Sequence, residues 1–206
     1  ATIEVGQGTP VLTNFSLPTK TIGDAAFTIA PPVTNSTGLI TYTSSDLSVA
    51  TIDGNTITIV GRGTSTITAE QESTTNFVSG TITALFTINK IPTVLSNFTV
   101  SAKTFGDASF AIIDPSSNSD GLITYTSSNT AVATIDGNTI TIVGGGNTTI
   151  TAVQSSTSNY TQGSISALFH VYQIKTVLSE FDIPAKIIGE EAFTITPPIT
   201  NSDGAF

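Results

Sequence analysis

The twelve residues ATIDGNTITIVG stand at positions 50–61 and again, letter for letter, at positions 133–144. Asp-Gly-Asn between two runs that alternate apolar residues with threonine is the chemistry of a β-hairpin turn. A two-residue loop at Asp53-Gly54 or Gly54-Asn55 sets Ala50, Ile52, Ile57 and Ile59 on one face and Thr51, Thr56 and Thr58 on the other. A three-residue loop mixes the two sets unless a bulge intervenes, because a slip of one residue carries a strand's side chains to the opposite face. The apolar pattern selects the even loop, with isoleucines in a core and threonines toward water.

The offset of 83 between the two hairpins runs through the chain. VLTNF at 11–15 returns as VLSNF at 94–98 and as VLSEF at 177–181. Aligned without a gap, residues 11–93 and 94–176 agree at 51 of 83 positions. The organisation expected is therefore repeat 1 at 11–93, repeat 2 at 94–176 and the first 30 residues of repeat 3 at 177–206. Ala1, Ile3 and Val5 fall at the repeat positions of Ala84, Phe86 and Ile88, so 1–10 reads as the closing strand of a preceding copy plus a linker. The chain starts at Ala1 with neither signal peptide nor initiator methionine, and we read it as a processed protein or as a segment of a longer tandem array.

Composition agrees with an all-β class. Serine and threonine number 62 of 206 residues, whereas charged residues make up only 10 %, so hydroxyls rather than ions solvate the surface. Threonine, valine and isoleucine favour strands. Without cysteine there is neither a disulfide framework nor a thiolate metal site. The net charge is −9, and the six basic residues (Lys20, Arg62, Lys90, Lys103, Lys175 and Lys186) form no stripe that could neutralise phosphates. Nucleic acid and anionic membrane surfaces are not expected partners. No apolar run approaches the ~18 residues of a membrane span.

Within one repeat, turn signals punctuate short apolar runs at the spacing of a β-sandwich. Strands are expected at 11–17, 26–30, 39–43, the two arms of the hairpin, 65–70 and 81–88, about seven in all, with Tyr42 anchoring the core and loops at Pro31-Pro32 and 35–38. Only residues 89–93 separate the closing strand of repeat 1 from repeat 2, and 172–176 do the same one repeat later. Linkers this short leave little slack, so sandwiches stacked end to end as a rod are expected, each adding roughly 30–40 Å.

The succession KTIGDAAFTI (20–29), GLITYTSSDLSVATIDGNTITIVGRGTSTITAEQ (38–71) and NFVSGTITALFTINK (76–90) resembles the bacterial immunoglobulin-like (Big) repeats of surface proteins, adhesins and viral or phage fibres. The resemblance covers both complete copies and the partial third. It departs from the pattern at Phe105 and Ile188, which stand with Ile22 where the family often has tyrosine. It implies tandem immunoglobulin-like sandwiches that serve as extracellular spacers, in a few cases with adhesive or carbohydrate contact, and it brings no catalytic motif.

Candidate chemistry is sparse. The single histidine, His170, replaces Thr87 on the outward side of the closing strand and reads as a lone solvated side chain. Gly61-Arg62-Gly63 and Gly144-Gly145-Gly146 precede another strand rather than a helix, so they are turn glycines and not a phosphate loop. Asp24, Asp107 and Glu190 share one repeat position and Asp53 and Asp136 another, yet no Asp-x-Asp-x-Asp spacing forms a calcium cage. Lys20, Lys103 and Lys186 also share a position, read as edge-strand lysines that discourage aggregation rather than as partners in an isopeptide cross-link. Sequons occur at Asn14, Asn35, Asn97, Asn147 and Asn159, close to the number that the abundance of serine and threonine yields by chance. We therefore assign no catalytic, cofactor-binding or metal-binding residue, no cofactor and no enzymatic activity.

The role expected is a structural spacer or stalk of a long extracellular chain or fibre, at a cell or virion surface. Its partners would be neighbouring repeats of the same chain and other copies in a fibre. Two alternatives stand beside it. In one, the repeats bind a glycan or receptor, with Tyr160 (for Phe77) and Tyr172 (for Asn89) as the exposed aromatic candidates. In the other, strands from a neighbouring chain complete the partial repeat 3 and build a filament, with 1–5 as one donor.

Overall fold

The hairpin forms with Gly54-Asn55 as its loop: Ala50 pairs with Ile59, Thr51 with Thr58, Ile52 with Ile57 and Asp53 with Thr56. Gly54 takes φ 59° and its counterpart Gly137 the same value, a conformation that costs glycine nothing. In this computed structural model residues 6–202 are described; the strand expected at 1–5 lies outside them. The chain gathers into two compact units, one of Ala1–Ser96, Ser116–Ile123 and Val153–Ser164, the other of Asn97–Pro115, Thr124–Ala152 and Ile165–Phe206. No helix occurs among the described residues.

In the first unit, repeat 1 contributes β1 (Leu12–Thr13), β2 (Lys20–Thr21), β3 (Phe27–Thr28), β4 (Val33–Thr34), β5 (Ile40–Ser44), β6 (Ala50–Asp53), β7 (Thr56–Ile59), β8 (Gly63–Gln71) and β9 (Gly80–Asn89). They form a four-stranded sheet in the order β2-β9-β8-β5, a three-stranded sheet β3-β7-β6 and a small pair β1-β4. Along β8 the residues Ser65, Ile67, Ala69 and Gln71 are buried, while Thr64, Thr66 and Glu70 are exposed. The long antiparallel pair runs from Gly63 opposite Ile88 to Gln71 opposite Gly80. Short β2 closes the sheet in parallel, with Lys20 opposite Ile88.

Repeat 2 follows the same plan with β10 (Leu95–Ser96), β11 (Lys103–Thr104), β12 (Phe110–Ala111), β13 (Ser116–Ser117), β14 (Ile123–Ser127), β15 (Ala133–Asp136), β16 (Thr139–Ile142), β17 (Gly146–Gln154) and β18 (Gly163–Tyr172). Its sheets are ordered β11-β18-β17-β14, β12-β16-β15 and β10-β13. Among its described residues, repeat 3 shows β19 (Leu178–Ser179) paired with β20 (Ile199–Thr200) and no other strand.

The core of repeat 1 is Phe15, Ile29, Val49, Ala50, Ile57, Ile67, Ala69, Phe86 and Ile88. Each recurs 83 residues on as a buried side chain, from Phe98 and Ile112 to Phe169 and Val171. In repeat 3 the corresponding Phe181 and Ile195 are 57 % and 51 % exposed.

Two expectations change. The opening strand, expected at 11–17, is confined to Leu12–Thr13 because Asn14 turns to φ 57°, as do Asn97 and Glu180; a left-handed residue cannot continue a ladder. Two strands join the seven expected. Lys20–Thr21 pairs with the closing strand, and Val33–Thr34 pairs with β1 inside what reads as a Pro-rich loop. Tyr42, half-buried, packs against the core as expected and stacks on Phe15 with ring centroids 6.1 Å apart.

Candidate functional site

A chain of repeats depends on its joints, and the linkers here are bound rather than free. Ile91, in the linker after repeat 1, makes a parallel bridge to Tyr160. Its N–H donates to the Asn159 carbonyl at 2.8 Å, and its carbonyl accepts the Thr161 N–H at 2.9 Å. Lys90 adds its ammonium to the Thr157 carbonyl at 2.6 Å. The segment ahead of repeat 1 does the same. Gly8 bridges Phe77, exchanges bonds of 2.9 Å with Asn76 and Val78, and Gln7 Nε2 donates to the Thr74 carbonyl at 2.7 Å. All of these residues belong to the first unit. Two joints of different sequence thus use one device, a linker residue laid against the loop that precedes the closing strand of the next repeat.

A second recurrent device fixes the chain just after each joint. The side-chain oxygen of Asn35 accepts the Val11 N–H at 2.8 Å, Asn118 does so for Val94 at 2.9 Å and Asn201 for Val177 at 2.8 Å. Asn118 Nδ2 also donates to the Pro92 carbonyl at 3.1 Å. Short Asn-centred loops suit this work because the carboxamide can act as donor and acceptor at once.

Behind these loops sit buried glutamines. Gln71 is 1 % and Gln154 is 2 % exposed. Gln71 Nε2 donates to the carbonyls of Ser36 and Gly38, both at 3.1 Å, and its Oε1 accepts the Thr34 hydroxyl at 2.6 Å. Gln154 repeats the pattern with Ser119 at 2.9 Å, Gly121 at 2.8 Å and the Ser117 hydroxyl. Gly38 approaches so closely that an added Cβ would lie 2.0 Å from the Glu72 carbonyl oxygen; at Gly121 the distance to the Ser155 oxygen is 2.2 Å. At the far end of β8 the buried Ser65 hydroxyl meets Ser44 at 2.8 Å and accepts the Asp46 N–H at 3.1 Å, with Thr148 in the same role opposite Ser127.

The residues singled out from the sequence are placed as follows. His170 lies on the outer side of β18 but is half-buried and is not a lone solvated side chain. Its Nδ1 meets the side-chain oxygen of Asn147, and its ring sits edge-on to Tyr172 at 4.4 Å. Tyr172 is 56 % exposed, whereas Tyr160 is half-buried in the joint. Asp24 accepts the Thr21 N–H and Asp107 the Thr104 N–H, each at 2.9 Å, so both close turns; Glu190 pairs with Lys186 at 3.4 Å. Lys20, Lys103 and Lys186 place their ammonium groups 4.9, 5.1 and 5.1 Å from the ring centroids of Phe27, Phe110 and Phe193. Among the described residues no three His, Cys, Asp or Glu side chains are grouped to hold a metal ion.

Among the described residues three ionisable groups depart from their ordinary behaviour for clear reasons. The Ser48 hydroxyl and amide donate to Asp46 Oδ1 at 2.6 and 2.9 Å and hold its carboxyl below the usual range. Burial, then the hydrogen bond to Asp114 at 2.5 Å and its negative charge, push the Tyr125 phenol up. Burial alone raises Tyr42, which has Pro31 where repeat 2 has Asp114.

Two-sheet modules with a shared core register and a parallel edge strand are immunoglobulin-like sandwiches, here in tandem. Residues 109–164, within repeat 2, match the model of the bacterial Ig-like domain (group 2). No curated protein matches the chain. Among solved structures it is similar to Drosophila N-cadherin EC1-4, at 13 % identity over 87 % of this chain and 54 % of that one, with a TM-score of 0.34. The titin domains z1z2 in complex with telethonin show 8 % identity over 83 % and 100 %, with a TM-score of 0.39. Domains 4 and 5 of the S-layer protein SbsC show 19 % over 71 % and 79 %, with a TM-score of 0.29. The chain spans about half the length of the N-cadherin structure. At these TM-scores none of the three bears on function.

Proposed function

We propose that this chain is a non-catalytic spacer segment of a long extracellular repeat protein, displayed at a cell or virion surface, with the neighbouring repeats as its main partners. The observation that carries this reading is the bound linker: Gly8 at one joint and Ile91 at the next make the same pair of backbone bonds to the following repeat. A spacer needs length and joints that resist collapse, and a short linker tied by backbone bonds supplies both. The near-identity of the two cores supports the reading too, since stacking equal modules adds length without adding chemistry. The hydroxyl-rich surface, low in charge, suits an exposed stalk.

Small-angle scattering from the full chain tests it. At roughly 30–40 Å per repeat, the spacer reading expects a largest dimension near 80–100 Å. A particle no longer than about 60 Å, or one that shortens when salt is varied, would remove it.

A further inference from the structure

In the four-stranded sheet of repeat 1, β2 and β5 are the edge strands. A sheet edge exposes a row of backbone donors and acceptors, which proteins guard with charge, proline or a bulge. β2 carries Lys20, whereas β5 reads Ile-Thr-Tyr-Thr-Ser over 40–44, with neither charge nor proline. The Glu72 N–H donates to the Leu39 carbonyl and the Ser45 N–H to the Thr66 carbonyl. By antiparallel alternation the odd-numbered residues turn their backbone groups to β8, and Ile40, Tyr42 and Ser44 turn theirs outward. Beside this edge lies an open groove of about 780 Å³, lined among others by Ile29, Pro31, Leu39 and Tyr42.

The outward row is complementary to itself. About a two-fold axis at Tyr42, a second β5 running antiparallel sets Tyr42 against its own copy and Ile40 against Ser44. Every such pair is of the hydrogen-bonded kind, about six bonds in all. Repeat 2 has the same strand, ITYTS at 123–127, but guards it. Asp114 stands where repeat 1 has Pro31, and its carboxylate accepts the Tyr125 hydroxyl at 2.5 Å. Two-fold pairing there would bring two carboxylates together beside the central tyrosines, a like-charge contact that opposes association. We propose that β5 of repeat 1 pairs with β5 of a second copy of this chain, joining the two through one continuous sheet, while Asp114 keeps β14 from doing the same. With β14 guarded, the pairing closes at two chains instead of growing. The contact lies in an intact repeat, apart from the partial repeat 3, and it goes beyond the spacer reading without depending on it.

Sedimentation equilibrium of the full chain, from dilute to near-millimolar concentration, tests this, with amide exchange at Ile40, Tyr42 and Ser44 as a second reading. The mass is expected to rise toward that of two chains, more readily in raised salt, which screens the −9 charge of each copy. The amides of Ile40, Tyr42 and Ser44 should exchange at least about tenfold more slowly at the higher concentration. Pro31→Asp installs the residue that repeat 2 already accommodates. It should weaken the pairing at least about tenfold with little change in melting temperature, while Pro31→Ala should leave it in place. Asp114→Pro, the reverse exchange, should carry the association beyond two chains. The mass of one chain at every concentration would overturn the proposal and leave the edge to a strand of another protein. Equal pairing by Pro31→Asp would overturn it as well.

Discussion

Gln71 donates its side-chain amide to the carbonyl of Gly38 at 3.1 Å from a fully buried position, and 83 residues later Gln154 does the same for Gly121 at 2.8 Å. The loop between β4 and β5 therefore closes on a polar core residue. Replacing Gln71 by leucine leaves the Ser36 and Gly38 carbonyls without this partner, and an unsatisfied buried acceptor costs about 1–3 kcal/mol. Urea unfolding of Gln71→Leu should show a loss in that range. A loss below about 0.5 kcal/mol, the size of an ordinary surface change, would mean that the clamp is dispensable.

Gly121→Ala is expected to be destabilising for a different reason. The new Cβ would meet the Ser155 backbone oxygen at 2.2 Å, and a backbone atom cannot swing away as a side chain can. Thermal melting should fall clearly for Gly121→Ala, whereas Gly137→Ala, with open space around it, should carry only the strain of its positive φ.

These cases show which features the sequence makes legible. The hairpin register followed from period-two alternation because both faces of β6 and β7 are chemically distinct. The same parity runs from Ser65 through Ile67 and Ala69 to Gln71, so the burial of Gln71 was readable, although ending the strand at Glu70 hid it. The short opening strand was not readable: the turn at Asn14 depends on φ, and Glu180, a residue with no preference for that region, takes the same conformation. The joint was hidden for another reason. Ile91 and Asn159 lie far apart in sequence and bond through backbone atoms, which leave no side-chain pattern. Lys20 and Lys103 stand in two-residue parallel strands too short to announce themselves, and Lys186 lies over Phe193 outside any strand.

Acid should test Asp46. Its carboxyl is held below the usual range by Ser48, so the folded state binds this proton less readily than the unfolded chain. The stabilisation is present above the unfolded value and is lost as pH falls through the folded one. Asn129 occupies the same position in repeat 2 and accepts the Ala131 N–H at 3.1 Å. Asp46→Asn should therefore change stability little at neutral pH and flatten its decline below about pH 4. An unaltered decline would place the acid sensitivity elsewhere.

Alkali should test Tyr125. With its phenol raised by burial and by Asp114, the unfolded chain ionises first. Stability is complete below the unfolded value of about 10 and falls as pH rises above it. Tyr125→Phe should cost less than about 1 kcal/mol at neutral pH, since the partner carboxylate stays exposed to water, and should lessen the loss in urea midpoint between about pH 9 and 11. A variant with the same alkaline slope as the parent would contradict this.

The claim on which the spacer reading rests is that the linkers are held by the following repeat. Amide hydrogen exchange at Ile91 and Thr161 tests it directly, because each N–H is committed to the joint, one to the Asn159 carbonyl and one to that of Ile91. Both amides should exchange at least about 100-fold more slowly than in an unstructured peptide, with Gly8 and Val78 behaving alike at the other joint. Exchange at the free-peptide rate would mean that the linkers are loose and that the repeats do not act as a braced stalk.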